Sequence, residues 1–280
     1  MGFVNYHTHS CHCDGVMRPE SYVKQAIRLG FDALGFSAHA PLPFENAWSI
    51  QTGGLNRYLD DIQALKKKYQ KRIPVLLGLE IDYIPGISEP FSKIKEACSL
   101  DYVIGGVHLV THPTQDGLWF IDGAPQGYDE GLRDLFERNI REAVGRYFWQ
   151  LEEMVTTQKP DIIAHCDKIK MNNRGLYFSQ EEDWYQQHLR KMVDVIASSG
   201  CIAEVNTRGI YKKRCAETYP SIEVLKAFKR LNVPVTVSTD AHHPQEIALL
   251  MPETLILLKE IGFRETMVWS EQAWVPRLIT

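Results

Sequence analysis

Short apolar runs alternate with longer amphipathic ones along the whole chain. Phe3–Tyr6, Ala33–Ser37, Val75–Ile81, Tyr102–Val107, Asp161–Ala164, Ile202–Val205 and Val233–Ser238 each read as a strand. The longest, Val75–Ile81, is apolar almost throughout, as a strand buried on both faces of a parallel sheet must be. Between the strands the period changes to that of a helix. Pro19–Leu29 places Tyr22, Val23, Ala26 and Ile27 on one face and stops at Gly30. Leu55–Tyr69, Glu89–Cys98, Glu181–Ser199 and Ser221–Leu231 are further helices, and Gln245–Leu250 with Glu253–Ile261 supply helix near the end. Asp129–Thr157 reads as one long helix or two joined ones, and Glu265–Trp269 as one last short strand. Repeated strand-then-helix units predict a parallel α/β sheet. With seven such units and no glycine-rich dinucleotide turn, the expected architecture is a closed TIM-like (β/α)7 barrel. No repeat, low-complexity tract or linker interrupts it, so residues 1–280 read as a single domain.

Composition narrows the partners. Apolar residues make up 44% and charged residues 24% of the chain, and 31 basic against 35 acidic groups leave a net charge of −4. A nucleic-acid binder would show a basic surplus, so none is expected as a partner. No apolar run approaches ~18 residues, which argues against a membrane span. The opening Met-Gly-Phe-Val-Asn-Tyr lacks the basic and apolar regions of an export signal. Cys11, Cys13, Cys98, Cys166, Cys201 and Cys215 include no CxxC pair and read as reduced thiols of a cytoplasmic protein.

Placed on the predicted elements, the polar residues gather at strand ends. His7 and His9 leave the first strand, His39 follows the second, and Glu80 lies near the end of the third. His108 and His165 cap the fourth and fifth, Glu204, Asn206 and Arg208 leave the sixth, and Asp240 and His242 leave the seventh. In a parallel barrel these carboxyl ends share the face that carries chemistry. Side chains alternate with period two, so His-x-His and Asp-x-His each put both groups on one side. Imidazole and carboxylate are the ligands of zinc, iron and manganese. Any one of these residues could be an ordinary core or rim group. As a set they would bring many buried polar groups together without a partner, which is costly. A shared metal centre removes that cost.

These residues resemble the ligand signature of the polymerase-and-histidinol-phosphatase superfamily of metal phosphoesterases, over nearly the full chain. On that resemblance the ligands are His7, His9, Asp14, His39, Glu80, His108, His165, Asp240 and His242, holding three divalent ions in a distorted seven-stranded (β/α) barrel. Zinc is the expected metal, with iron or manganese the alternatives. Flanking stretches are similar to the histidinol-phosphate phosphatase branch: Gly78–Gly86, Ile104–His108, Ala164–Lys170, Glu204–Gly209 and Ser238–Pro244. That branch hydrolyses L-histidinol phosphate to L-histidinol and phosphate in histidine biosynthesis. The resemblance implies one metal on His7, His9, Glu80 and Asp240, a second on Glu80, His108 and His165, and a third on Asp14, His39 and His242. Glu80 would bridge the first two. Cys11, His12 and Cys13 also have ligand-type side chains, and His12 or a thiolate could take the place of Asp14.

The mechanism so implied is attack on the phosphomonoester by a metal-bridged hydroxide, with Glu80, Asp240 and His242 catalytic and Asp240 or His242 the proton donor to the leaving alkoxide. Lys168, Lys170, Arg174, Arg208, Lys212, Lys213 and Arg214 are basic residues near the rim. Arg208, two residues beyond Asn206, is the first candidate for phosphate, followed by Lys170 and Lys212. Loop residues Phe44, Trp48, Trp119 and Phe120, with Glu45, Asp116 and Asp122, could receive an imidazole and an ammonium group. His112, His188 and His243 are not expected to be ligands. The competing readings are a phosphoesterase acting on another phosphomonoester, nucleotide or short oligonucleotide, and a metal-bound module without catalysis.

Overall fold

The computed structural model describes residues 2–280. Seven parallel strands form one sheet: β1 (Val4–Asn5), β2 (Ala33–His39), β3 (Val75–Asp82), β4 (Tyr102–Gly106), and, after two short strands, β7 (Ile162–Ile163), β8 (Ile202–Asn206) and β9 (Val235–Ser238). The two short strands, β5 (Leu109–Thr111) and β6 (Leu118–Phe120), form a separate antiparallel hairpin above β4. The outer strands of the sheet meet beyond their carboxyl ends. There His9 N–H donates to Ala241 O at 2.8 Å and Ala241 N–H to His7 O at 3.1 Å. The barrel is therefore nearly closed, and closed only on the side where the histidines lie.

The predicted helices are present as α1 (Pro19–Arg28), α2 (Leu55–Tyr69), α3 (Phe91–Ala97), α4 (Pro125–Phe136), α5 (Ile140–Thr157), α6 (Asp183–Ser199), α8 (Ile222–Arg230) and α9 (Met251–Ile261), and a single turn not predicted, α7 (Arg208–Tyr211), follows β8. The stretch 129–157 resolves into two helices, parted at Glu137 and Arg138, whose φ of 47° and 64° no α-helix accommodates. The second begins where Asn139 Oδ1 accepts from Glu142 N–H at 3.3 Å. Residues 245–250 give only a 3₁₀ turn at Pro244–Glu246. The last strand has a partner not foreseen: β10 (Glu265–Ser270) pairs antiparallel with β11 (Ala273–Leu278). Among the described residues no helix is long and apolar enough to cross a membrane.

The barrel has a dry end and a wet end. Inside the barrel, beneath the histidines, Val4, Tyr6, Ala33, Leu76, Tyr102, Ile104, Ile162, Ala164 and Ile202 form an apolar cluster, with Trp274 and Val268 of the β10–β11 hairpin packed against it. Tyr102 lies across the axis and donates to Tyr6 O at 2.5 Å and Phe36 O at 3.0 Å. Gly78 makes room for it, since a Cβ there would come within 2.6 Å of the phenol ring. With the floor sealed by apolar side chains, only the carboxyl ends open to solvent.

Candidate metal centre

At the open end the alternation of the strands aims the polar residues inward. The chain keeps its extended course past β1, so that His7 and His9 both point into the barrel, fully buried. Asn5 ties this segment across the closure, donating to Thr239 Oγ1 at 2.7 Å and accepting from His7 N–H at 3.1 Å. His39 and Glu80 sit side by side in register on β2 and β3.

Glu80 is the centre of the arrangement. Its Oε2 lies 3.1 Å from His7 Nε2, 3.4 Å from His9 Nε2 and 3.2 Å from His39 Nδ1. Its Oε1 lies 3.2 Å from His165 Nε2 and 3.5 Å from His108 Nε2, and those two nitrogens are 3.1 Å apart. Asp240 Oδ1 faces His9 Nε2 at 3.4 Å and His7 Nε2 at 3.7 Å. Asp14 Oδ2 is 3.1 Å from His242 Nε2, and its Oδ1 is 4.0 Å from His39 Nε2. All nine residues named on the sequence are thus brought together, in three overlapping groups of donor atoms. His12 is not among them. Its Nε2 turns away to Asp61 Oδ2 at 3.0 Å, and Cys11 is exposed.

The donor set fits divalent cations. The buried His7 Nε2, His9 Nε2 and His39 Nδ1 have no hydrogen-bond partner, although desolvated polar atoms ordinarily find one. Each nitrogen faces carboxylate oxygen, at 3.1 Å for His7, 3.4 Å for His9 and 3.2 Å for His39, the position where a cation takes the place of a proton. Burial alone would raise the Glu80 and Asp240 carboxyls. The facing His7 imidazole, with His39 on Glu80 and Arg208 on Asp240, instead holds both well below the usual range. Burial and the neighbouring His242 bring His9 down to about 4, so it stays neutral.

A second layer orients the first. Glu204, on β8, accepts from His7 Nδ1 at 2.5 Å, from His165 N–H at 2.9 Å, from Asn206 Nδ2 at 3.0 Å and from the Ser238 hydroxyl. Asp82 Oδ1 lies 2.7 Å from His108 Nδ1. A carboxylate behind a ligating imidazole fixes its tautomer and raises its basicity. Sequence reasoning placed Glu204 at a strand end without this role and gave Asp82 none. The available signal was period two, since Asp82 follows Glu80 on the same face of β3.

Of the three cations expected to hold phosphate, only Arg208 reaches the cleft. It donates to Asp240 O at 2.7 Å and lies 3.4 Å from the Tyr211 hydroxyl. Lys170 is committed elsewhere: its buried ammonium bonds Asp167 Oδ2 at 2.7 Å, Glu217 Oε1 at 3.0 Å and Thr218 O at 3.2 Å. Lys212 is ion-paired to Glu246 outside the cleft. Lys168 and Arg214 line it instead, with Lys168 Nζ 2.8 Å from Asp122 Oδ2 and 3.5 Å from His108 Nε2. On the outer wall Trp48 and Phe120 stack at 4.5 Å. Trp119 is not part of that wall. It is fully buried, donates to Tyr128 O at 2.9 Å and packs on Phe136. Phe44, Glu45 and Asp116 lie outside the cleft lining, whereas Asp122 is within it. His112, His188 and His243 stand apart from the nine: His188 stacks on Phe148, and His112 Nε2 lies 3.7 Å from Glu142 Oε1.

A cation binds imidazole only in its neutral form. Burial would lower His108, but the Asp82 carboxylate outweighs it and pushes the imidazole up to about 9. His7 is raised as well, because Glu204 and Glu80 overcome its desolvation. Both therefore carry protons near neutrality when no cation is bound. Zinc loading at neutral pH is expected to release protons, and affinity is expected to rise as pH climbs towards 9, where that competition fades. Calorimetric titration in buffers of different ionisation enthalpy measures the release, and heats independent of buffer would contradict it.

The seven-stranded parallel barrel with its donor groups at the carboxyl ends is that of a known class. The chain belongs to the PHP domain family, whose profile matches residues 5–208. Within it, the chain is 28% identical over 266 residues to the "probable histidinol-phosphatase" of Deinococcus radiodurans, covering 94% of this chain and 95% of that one. It is 24% identical to the histidinol-phosphatase of Bacillus subtilis, covering 81% and 87%. The fold is similar to that of the histidinol phosphate phosphatase of Lactococcus lactis, whose crystal structure is a complex with zinc, L-histidinol and phosphate. The TM-score is 0.71 at 21% identity, covering 98% of each chain.

Proposed function

We propose that this chain is a metal-dependent phosphoric monoester hydrolase that converts L-histidinol phosphate to L-histidinol and phosphate in histidine biosynthesis. The observation that carries this reading is Glu80, whose two oxygens face two separate groups of buried imidazoles within one cleft. Relatives named histidinol-phosphatase, matched over most of their length, support the substrate. We assign His7, His9, Glu80 and Asp240 to one ion, Glu80, His108 and His165 to a second, and Asp14, His39 and His242 to a third, with zinc the favoured metal. Such ions, when bound, activate water near neutral pH and polarise phosphoryl oxygens.

The remaining work falls to the side chains themselves. Arg208, Lys168 and Arg214 supply positive charge where the phosphate dianion enters, and Arg208 is pinned by Asp240 O so that its fork is preoriented. Of the two candidate donors to the departing alkoxide, His242 is the one we favour, through the Nδ1 proton it shares with the Asp240 carbonyl at 3.0 Å, because the Asp240 carboxyl, despite its burial, is held ionised by His7 and Arg208. The Trp48–Phe120 wall and Asp122 suit an aromatic ring and an ammonium group. The whole chain acts as one domain in this reading, and cysteines without a CxxC pair or a dense framework support a cytoplasmic location.

Phosphate release from histidinol phosphate, nucleoside monophosphates and a short oligonucleotide, each with and without chelator, tests it. The expected outcome is the highest kcat/KM on histidinol phosphate, lost on chelation and restored by zinc or manganese. A higher kcat/KM on a nucleotide would overturn the substrate, and release insensitive to chelator would overturn the metal centre.

A further inference from the structure

Most of the cage histidines with one nitrogen turned to the centre have the other held from behind by oxygen. Glu204 backs His7 at 2.5 Å, Asp82 backs His108 at 2.7 Å, and the Asp240 carbonyl backs His242 at 3.0 Å. His9 differs. Behind its Nδ1, at 3.5 Å, stands the sulfur of Cys13. Asp14 Oδ1 is further off, at 3.8 Å, beyond hydrogen-bonding reach, and the other Asp14 oxygen is directed at His242.

His9 needs such an anchor more than its neighbours do. Its ring stacks on His242 at 4.2 Å and lies tilted against His39 at 4.5 Å. Stacking fixes the plane of a ring but not which edge faces inward, and a flip about the Cβ–Cγ bond would leave the stack intact. The Nε2 edge must face Glu80 and Asp240, and for that nitrogen to offer a lone pair the proton must sit on Nδ1. A soft acceptor at Nδ1 selects both the edge and the tautomer. The backbone puts the sulfur there through a tight turn: Cys13 N–H and Gly15 N–H both donate to Ser10 O, at 3.0 and 3.1 Å. Gly15 is required for that closure, because a Cβ would come within 2.4 Å of Ser10 N.

We propose that Cys13 is the positioning residue of His9, its sulfur accepting the Nδ1 proton so that Nε2 is presented to a cation. This rests on the metal centre proposed above. In the assignment above His9 serves the ion it shares with His7, Glu80 and Asp240, and its nitrogens also lie close to the Asp14, His39 and His242 group. Losing its anchor therefore weakens that ion first and spares the group of His108 and His165, which lies at the other oxygen of Glu80.

The test compares the metal-free whole protein with its Cys13→Ala and Cys13→Ser variants, reloaded with zinc against a competing chromophoric chelator. Cys13→Ala is expected to lose about 10–100-fold in zinc affinity in part of its binding isotherm, the range seen when such outer partners are removed. The fraction held by His108 and His165 should not change. Cys13→Ser should recover part of the loss, since a hydroxyl accepts the same proton, and it serves alone if Cys13→Ala does not fold. Cobalt in place of zinc supplies a spectroscopic readout: an anchoring sulfur gives no sulfur-to-cobalt charge-transfer band. Zinc affinity in Cys13→Ala equal to that of the unaltered chain, or a charge-transfer band showing sulfur as a ligand, would overturn the proposal. If the unaltered chain takes up no cation at all, the metal centre fails first, and the two failures are told apart.

Discussion

Replacing Glu80 by Gln is expected to cost roughly 10³-fold or more in kcat/KM for phosphate release, the equivalent of several kcal/mol of transition-state stabilisation. Both carboxylate oxygens are in use, Oε2 towards His7, His9 and His39 and Oε1 towards His108 and His165. An amide keeps the shape but removes the charge. Whichever way it turns, it presents an N–H₂ to nitrogen lone pairs that need a cation between. The variant should also retain less metal, and added zinc should not restore it. Steady-state kinetics with elemental analysis of the same sample checks this, with circular dichroism to confirm the fold. Wild-type turnover and metal content together would refute the bridging role.

Glu204→Gln should behave differently, because Glu204 touches no site for a cation. Its carboxylate receives His7 Nδ1, the His165 backbone amide, Asn206 and Ser238, and so sets the His7 ring and the backbone that carries His165. Removing an outer carboxylate of this kind costs about 10–100-fold in metal affinity or activity. The imidazoles themselves remain, so excess zinc should recover most of the activity, in contrast to Glu80→Gln. Glu204→Ala goes further. It leaves the buried partners unmatched, and loss of one member of a buried charged pair costs about 3–5 kcal/mol. Chemical denaturation of the metal-free proteins separates that stability loss from the metal effect. Activity in Glu204→Gln that stays low at saturating zinc would contradict the orienting role.

The contrast between these residues shows where the sequence was informative. His7 and His9 are legible because a spacing of two along an extended segment leaves one geometric outcome; Asp240 has a φ of 50°, so its meeting with His242 depends on a turn that alternation does not describe. The roles of Glu204 and Asp82 are not legible, since an acid inside a strand gives no sign of which neighbouring strand's imidazole it meets. Lys168 and Lys170 lie on one short 3₁₀ turn. Their spacing cannot say that the first faces the cleft while the second is buried against Asp167 and Glu217. Trp119 and Phe120 are adjacent on β6, a strand where a loop was expected. Alternation sends Trp119 into the core and Phe120 to the cleft wall. The second strand of the final hairpin was hidden by Pro276, a residue that demotes a strand unless it lies at a sheet edge, as here.

Anomalous diffraction at the metal absorption edge, on crystals of protein reconstituted with zinc, examines the central claim most directly. Three peaks are predicted: among His7, His9, Asp240 and Glu80 Oε2, among His108, His165 and Glu80 Oε1, and among Asp14, His39 and His242. A fully reconstituted protein with no anomalous density beside Glu80, or with its zinc bound only elsewhere on the surface, would contradict the account.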